Sequence, residues 1–325
     1  MKKKQKMLVA LMIGCISFLL LPTTSLAAGT QENQEPIMMA YYRTWRDVTM
    51  PSDANSNLPD KNVTSMLDLP KELDIVSVFH YVKPGTDQQK YWDTLKNTYV
   101  PELHARGTKL VRTIDISELL KVPAQNGKKQ TTTDYEKYAE ELLATYVTPW
   151  NLDGLDVDME TNLTADQIGV ATGVFKALST KLGPQSATGK LLIYDTNQTN
   201  HALFKKVAPY CDYLFLQAYG GSIARFQIVL GKVTKESITP QQFLPGISFP
   251  EEQDHNKWDD TIEPYETSRA YSYAMWNPKD GAKGGMFVYG VDRDGKKFGD
   301  DTISKTDFSW TKRLMKFAWG KQLNK

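Results

Sequence analysis

The run Asp153-Gly154-Leu155-Asp156-Val157-Asp158-Met159-Glu160 decides both the fold and the predicted chemistry of this chain. Successive side chains of a β-strand point to opposite faces, so Asp156, Asp158 and Glu160 share one face. A row of carboxylates on the inner face of a buried strand is unfavourable, because desolvation and mutual repulsion both disfavour their charges. No stabilising role explains such a row, and it therefore predicts a catalytic strand.

Glu160 is the predicted proton donor of this row. Crowding is expected to raise the pKa of one carboxyl, as a general acid at neutral pH requires. Glu160 stands at the C-terminal end of the strand, where barrel enzymes place their chemistry. The alternative is a calcium loop that starts at Asp156. Thr161 and Gln167 disfavour it, because they stand where such a loop needs glycine and glutamate.

The acidic strand is the fourth of eight short apolar runs, and amphipathic helical patterns lie between them. This alternation is typical of βαβ units. It predicts the fold class α/β and a single (β/α)8 TIM barrel, which commonly needs about 250 residues. The predicted strands cover residues 36–42, 75–80, 110–114, 152–158, 191–194, 213–219, 243–249 and 286–289.

The helical patterns and the linker composition indicate one domain over residues 28–325. Thr164 and Gln167 have the spacing of a capping box at the start of one helix. No Gly/Ser-rich or Pro-rich linker divides the sequence after residue 28. The irregular stretches 46–70 and 250–264 follow predicted strands and would lie on the catalytic face of a barrel. The predicted helices cover residues 91–106, 134–146, 164–182, 266–276 and 304–317.

The N-terminus has the pattern of a secretory signal peptide. Basic residues precede the apolar run 7–21, and small residues before position 28 predict removal of residues 1–27 by cleavage after Ala27. Lipidation of Cys15 is disfavoured because the apolar run continues beyond it. Cleavage would leave Cys211 as the only cysteine, so no internal disulfide could form. We expect a secreted bacterial protein with no stable membrane association.

Charge and composition favour a neutral substrate. The chain has 39 Lys and Arg against 38 Asp and Glu, a formal net charge of +1, so no global field attracts nucleic acid. With only 4 His and 2 Cys, a metal site has little support, and we expect no metal and no cofactor. Aromatic residues make up 11% of the chain, which suits a sugar cleft, although most rings are expected in the core. A monomer is expected.

The run 153–160 resembles the D-G-x-D-x-D-x-E signature of glycoside hydrolase family 18, and every specified position matches. The resemblance implies a retaining mechanism in which the acetamido oxygen of the substrate is the nucleophile. In that mechanism Glu160 protonates the departing glycosidic oxygen and then acts as base toward water. Asp158 would hold the acetamide N–H, and Asp156 would lie beneath it and take up charge or a proton.

The sixth predicted strand indicates a branch within the family. Family chitinases usually have M-x-Y-D there, whereas this chain has Gln217-Ala218-Tyr219-Gly220, which resembles the Q-x-Y pattern of endo-β-N-acetylglucosaminidases. Gln217 and Tyr219 are predicted to orient the acetamide. The run 41–45 is also similar to that branch, and 250–285 is too short for the inserted domain of chitinases. The resemblance implies that the substrates are N-glycans of glycoproteins, cut between the two core GlcNAc residues.

Two alternatives stay open. One is a chitinase or chitooligosaccharide hydrolase, and the other is a carbohydrate-binding barrel without catalysis, which the intact Glu160 opposes. Further residues at predicted strand ends are candidates for sugar contacts, although each could equally belong to the core. The candidates for substrate binding are Tyr41, Tyr194, Asp195 and Tyr289, with His80, Tyr81 and Trp276 as weaker ones.

Overall fold

The chain forms a closed barrel of eight parallel strands in sequential order. This computed structural model describes residues 35–50, 58, 61–79, 88–123, 129–198, 201–233 and 238–319. The barrel confirms the predicted α/β class and the (β/α)8 architecture. The strands are β1 (Ile37–Arg43), β2 (Ile75–Phe79), β3 (Lys109–Asp115), β4 (Gly154–Met159), β5 (Leu191–Thr196), β6 (Tyr213–Gln217), β7 (Phe243–Ser248) and β8 (Gly285–Tyr289).

Each predicted strand overlaps an observed one, with differences only at the ends. Strand β6 ends at Gln217, so Tyr219 follows the strand rather than belonging to it. Strand β4 begins at Gly154, and the side chain of Asp153, just before the strand, accepts a hydrogen bond from the backbone N–H of Leu110 at 2.7 Å. The predicted signal segment 1–27 lies outside the described residues, and its removal stays a prediction.

Helices pack against the outer face of the barrel. The predicted helix 91–106 forms as two α-helices joined by a π-helical segment just before Pro101, which lacks a backbone N–H for the regular pattern. The segments are α1 (Gln89–Thr94), the π-helical segment (Leu95–Tyr99), α2 (Val100–Ala105), α3 (Ile116–Leu119), α4 (Thr132–Tyr146), α5 (Ala165–Leu178), α6 (Phe204–Val207), α7 (Ile223–Val233), α8 (Arg269–Met275) and α9 (Ser309–Trp319).

The start of α5 confirms the predicted capping box. The backbone N–H of Gln167 donates to Thr164 Oγ1 at 3.3 Å, and the N–H of Thr164 donates to Gln167 Oε1 at 2.9 Å. Helix α7 is absent from the predicted set, although its buried residues Phe226, Val229 and Leu230 have helical spacing. In the part of the chain that the structure describes, no helix combines the length and the apolar character that crossing a bilayer requires.

Strand parity divides the apolar core into two layers. Inside the barrel, side chains such as Val111, Ile193 and Phe287 pack together. The alternate strand residues, such as Leu155 and Val157, pack outward against the helices. The inner layer fills the barrel interior beneath the C-terminal ends of the strands. The polar side chains at these ends therefore face an open cavity.

Gly154, at the start of β4, lies against the backbone of β5. Its φ is 152°, and a Cβ at this position would overlap the carbonyl oxygen of Leu191. We expect Gly154→Ala to lower the free energy of unfolding by about 2–3 kcal/mol, because both overpacking and backbone strain destabilise the folded state. Denaturant unfolding measures this loss.

Gly169, exposed within α5, provides the matched control, because a Cβ there meets no atom within 4 Å. Gly169→Ala should raise the free energy of unfolding by about 0.5–1 kcal/mol, since alanine is the better helix former. Equal effects of the two substitutions would contradict the overlap at Gly154.

Candidate active site

A cavity of about 690 Å³ opens at the C-terminal ends of the strands. It brings together most of the residues that the sequence predicts for the site, together with others that it does not predict. The predicted lining residues are Tyr41, Asp158, Glu160, Asp195, Gln217, Tyr219 and Tyr289. The additional lining residues are Trp45, Phe79, Asn197, Arg225, Asn256 and Trp258.

The three acids of the run 153–160 lie at decreasing depth below the cavity mouth, from Asp156 to Glu160. Asp156 is fully buried, Asp158 is 3% exposed, and Glu160 follows the end of the strand and is exposed. Their order along one strand face is the order that strand alternation predicts. The run is regular β-strand rather than a calcium-binding loop. Among the described residues, no group of three or more His, Cys, Asp or Glu side chains is arranged to hold a metal ion.

Asp156 lies beneath the cavity in a network of hydroxyl groups. The hydroxyls of Tyr41 and Thr113 each lie 2.8 Å from Asp156 Oδ2, and Ser77 hydrogen-bonds to Thr113. Burial raises the pKa of Asp156 to about 7, against the lowering effect of the hydrogen bonds from Thr113 and Tyr41. Asp156 can therefore gain or lose a proton near neutral pH.

Asp195, on β5, shares a hydroxyl partner with Asp156. The Tyr41 hydroxyl lies 3.0 Å from Asp195 Oδ2 as well as close to Asp156, yet it has only one hydrogen to donate. Burial, together with the charges of Asp156 and Asp158, raises the pKa of Asp195 well above its usual range. A proton on one of the two carboxyls can be donated to the Tyr41 oxygen. Both short contacts of this hydroxyl are then hydrogen bonds.

Gln217 connects the acids of β4 to Asp195 on β5. Its Nε2 donates to Asp158 Oδ1 at 3.1 Å and to Asp195 Oδ2 at 2.9 Å. One of these contacts holds the Asp158 carboxylate at the cavity wall, and the two together explain how the buried amide nitrogen is accommodated there. The sequence predicts contact between Gln217 and the substrate; the structure adds that Gln217 positions Asp158 and Asp195.

Aromatic rings form the wall opposite the acids. The Phe79 and Tyr289 rings meet edge to face at a centroid distance of 5.4 Å, and Tyr289 lies 6.2 Å from Tyr219. Trp45 continues this wall, with its ring 5.8 Å from Phe79. An acidic floor beside flat apolar rings suits a neutral sugar, whose faces are apolar and whose edges carry hydroxyls.

Tyr194 does not reach the cavity, so its predicted contact with substrate is corrected. Tyr194 and Asp195 are adjacent on β5 and point to opposite faces, so only one of them can face the barrel interior. Asp195 lines the cavity, while Tyr194 packs outside the barrel against Phe175 and Phe204 at centroid distances of 6.0 and 4.9 Å.

Of the three weaker candidates, Trp276 is not brought to the cavity either. Trp276 packs on Phe226 and Phe243, with centroid distances of 5.2 and 6.0 Å, in the layer outside the barrel. His80 and Tyr81 lie outside the described residues, so their roles stay predictions.

An ion cluster around Arg43 supports the cavity rim and is not predicted from the sequence. Arg43 ends β1 and is fully buried. Its guanidinium donates to Asp292 Oδ1 at 2.9 Å, to Glu252 Oε2 at 3.0 Å and to Glu251. The cluster ties the end of β1 to the loops that follow β7 and β8. No motif or spacing links these residues, because they come from distant parts of the chain.

The raised pKa of Asp156 predicts a pH-dependent stability. A folded-state pKa near 7 exceeds that of the unfolded chain, so the contribution of this group to stability is full below about pH 4 and is lost as the pH rises through about 7. Asparagine imitates the neutral acid. We expect Asp156→Asn to raise the free energy of unfolding by about 2 kcal/mol at about pH 8, and the gain to shrink at about pH 5.

Denaturant unfolding at both pH values tests this prediction. Asp280→Asn, on an exposed turn, removes the same charge and is the control. It should leave stability nearly unchanged at both pH values, because exposed charges interact weakly. A gain for Asp156→Asn that is equal at both pH values would contradict the assigned titration.

Comparison with known proteins extends this description. Residues 40–288 match the model of the family described as the endo-β-N-acetylglucosaminidase EndoS TIM-barrel domain. An endo-β-N-acetylglucosaminidase of Bifidobacterium longum subsp. infantis is 38% identical over 301 residues, covering 88% of this chain and 54% of that protein. Endo-β-N-acetylglucosaminidase F2 of Elizabethkingia meningoseptica is 40% identical over 291 residues, covering 88% of this chain and 82% of that protein. The chain thus spans about half the length of the first relative and most of the second.

A solved structure shows similarity across the whole barrel. A crystal structure of endo-β-N-acetylglucosaminidase from Cordyceps militaris has a TM-score of 0.78 and 42% identity, and the match covers 88% of this chain and 92% of that chain. That crystal contains a variant with an Asp-to-Asn and a Glu-to-Gln substitution two positions apart, in complex with fucosyl-N-acetylglucosamine-Asn.

Proposed function

Because the chain belongs to the family of the endo-β-N-acetylglucosaminidase EndoS TIM-barrel domain, we propose that it hydrolyses the GlcNAc-β-1,4-GlcNAc bond in the core of N-linked glycans. The observation that carries this proposal is the Asp158 carboxylate, which Gln217 holds beside the exposed Glu160 at the cavity. Acids at positions 158 and 160 have the same spacing as the Asp and Glu that were substituted in the Cordyceps militaris structure.

In the proposed mechanism, the substrate supplies its own nucleophile. Glu160 donates a proton to the glycosidic oxygen while the acetamido oxygen of the GlcNAc on the glycone side forms a bond to C1. The bond between C1 and the glycosidic oxygen breaks, and an oxazolinium ion forms. Glu160, now ionised, accepts a proton from water as the water oxygen attacks C1 and the bond between C1 and the acetamido oxygen breaks, which restores the β configuration and the neutral acetamide.

In this mechanism Asp158 stabilises the acetamide group as it becomes the positively charged oxazolinium ion. Its carboxylate, oriented by Gln217, can accept the acetamide N–H and counter the positive charge of the oxazolinium ion. Asp156 and Asp195, both with raised pKa values, can keep a proton beneath Asp158. When this proton keeps the carboxyls below neutral, the negative charge stays on Asp158, which faces the substrate.

Digestion of a high-mannose glycoprotein tests the proposed activity. Mass spectrometry should find a single GlcNAc left on each asparagine and a released glycan that ends in GlcNAc. Intact glycoprotein together with cleavage of chitin oligomers would instead support the chitinase alternative. Binding of glycans without cleavage of either substrate would support a non-catalytic barrel.

We also propose that the chain is exported and cleaved after Ala27. The basic start, the apolar run 7–21 and the small residues before position 28 support this proposal. N-terminal sequencing of protein from the culture medium should begin at Ala28. Protein that keeps residues 1–27 and stays in the cell would contradict export.

A further inference from the structure

Gly220 follows Tyr219 at the point where family chitinases carry an aspartate, and the structure gives a physical reason for the glycine. Its φ is 65°, in the left-handed region that side chains disfavour. A Cβ at this position would lie 2.9 Å from Cε3 of the Trp258 indole. The indole therefore occupies the space that a side chain at position 220 would need.

Trp258 is held firmly in this place. Its carbonyl oxygen accepts a hydrogen bond from Arg269, and its indole N–H donates to Asn256 Oδ1 at 3.2 Å. Asp260, two residues on, accepts from the backbone N–H groups of Gly220 at 3.0 Å and Ser248 at 3.1 Å. These bonds fix the loop after β7 to the ends of β6 and β7.

The backbone on either side of Trp258 is also specific. Asn256 has a φ of 47° and Asp259 a φ of 55°. Asn and Asp enter this left-handed region more readily than other residues with side chains. The loop therefore takes a defined conformation that presents the indole between two turns.

Although it is fixed, Trp258 is 45% exposed and lines the cavity. A large, rigid indole at the edge of a site binds a ligand at little cost in conformational entropy, because the ring is already placed. Its N–H is engaged by Asn256, so the ring offers mainly its apolar face to a ligand. The C–H-rich face of a pyranose is the part of a glycan that fits such a surface.

We propose that Trp258 is a sugar-binding platform that stacks on a pyranose next to the GlcNAc at the cleavage position, and that Gly220 is a positioning residue that makes room for it. The inference rests on the proposed function and extends it to substrate choice. It places the specificity of the site in a pair of residues, one after β6 and one after β7.

Steady-state kinetics on an N-glycan substrate tests the platform. Trp258→Ala should raise KM about tenfold and leave kcat nearly unchanged, because the indole binds the sugar but takes no part in the proton transfers. Trp258→Phe keeps a flat ring and should recover most of the loss in KM. An unchanged KM in Trp258→Ala, or equal losses in both variants, would overturn the proposal.

A double-mutant cycle tests the role of Gly220. Gly220→Ala should raise KM in the parent, because the new Cβ displaces the indole. In the Trp258→Ala background the same change should raise KM much less, since no indole remains to be displaced and only the backbone strain at a φ of 65° is left. Independent effects of the two substitutions would show that Gly220 does not act through Trp258.

Calorimetry with Glu160→Gln locates the stacked sugar and separates the inference from the proposed function. Released oligosaccharide and GlcNAc-asparagine are titrated with and without Trp258→Ala. Weaker binding of the first places the sugar on the glycone side, and weaker binding of the second places it on the aglycone side. No change for either ligand overturns the platform, whereas failure of the parent to cleave glycoprotein overturns the activity alone.

Discussion

Glu160→Gln is expected to lower kcat on a glycoprotein substrate by about 10³-fold, because the amide cannot protonate the departing oxygen. The glutamine has nearly the same shape and stands at the same exposed position after β4, so glycan binding should persist. Quenched digests analysed by mass spectrometry give kcat, and calorimetry gives the dissociation constant.

Glu136→Gln on α4 is the control for this change. Glu136 is exposed and lies outside the cavity, so its substitution removes the same charge without altering the site. Its kcat should match that of the parent. Appreciable turnover in Glu160→Gln would show that another residue is the proton donor, and loss of both turnover and binding would indicate a misfolded site.

Arg43→Met is expected to cause the largest loss of stability, about 3–5 kcal/mol, because it removes the cation that lies nearest to three buried or nearly buried carboxylates. Burial alone would raise the pKa of Glu252, but the charge and hydrogen bond of Arg43, together with the charge of Arg46, override it and hold this pKa at about 2. Glu251 and Asp292 also lose their partner. Activity should fall with stability, because the loop that carries Asn256 and Trp258 starts from this cluster.

The pH dependence of the stability lost in Arg43→Met shows whether the loss comes from the ionised carboxylates of the cluster. A depressed folded-state pKa gives Glu252 a stabilising contribution above about pH 4, which is lost as the pH falls through about 2. The variant keeps only the part of this contribution that Arg46 and Arg293 supply, so the deficit between variant and parent should be large at about pH 7 and smaller at about pH 4. Denaturant unfolding at both values measures it.

Arg313→Met provides the matched control. Arg313 pairs with Glu263 at the surface, where the two side chains are 32% and 56% exposed. Exposed ion pairs contribute about 0–1 kcal/mol, so this substitution should change stability little. A deficit in Arg43→Met as small as in Arg313→Met would show that the buried cluster does not hold the rim together.

Local patterns were sufficient to predict the barrel and the order of acids on β4. Alternation along one strand depends only on neighbouring residues, and it places Asp156, Asp158 and Glu160 correctly on one face. The same rule decides between Tyr194 and Asp195, and applying it to β5 would have placed Tyr194 in the outer layer. That error was avoidable from the sequence.

Other parts of the site depend on contacts that no local pattern contains. Trp258 lies in an irregular loop, and its place depends on Gly220, which the chain brings near from another strand end. Arg43 meets partners more than two hundred positions away. The polar contacts of Gln217 likewise depend on the barrel bringing β4, β5 and β6 together.

The Arg43 cluster also has a consequence for the order of folding. Arg43 is separated from Glu251 by 208 positions and from Asp292 by 249. Contacts of such high sequence separation form late, because a long loop must close before they contribute any stability. During synthesis, which starts at the N-terminus, Arg43 has none of these partners until nearly all of the barrel strands have been made. The rim of the cavity is therefore completed last, and a nascent chain that stops short of β8 has no assembled site.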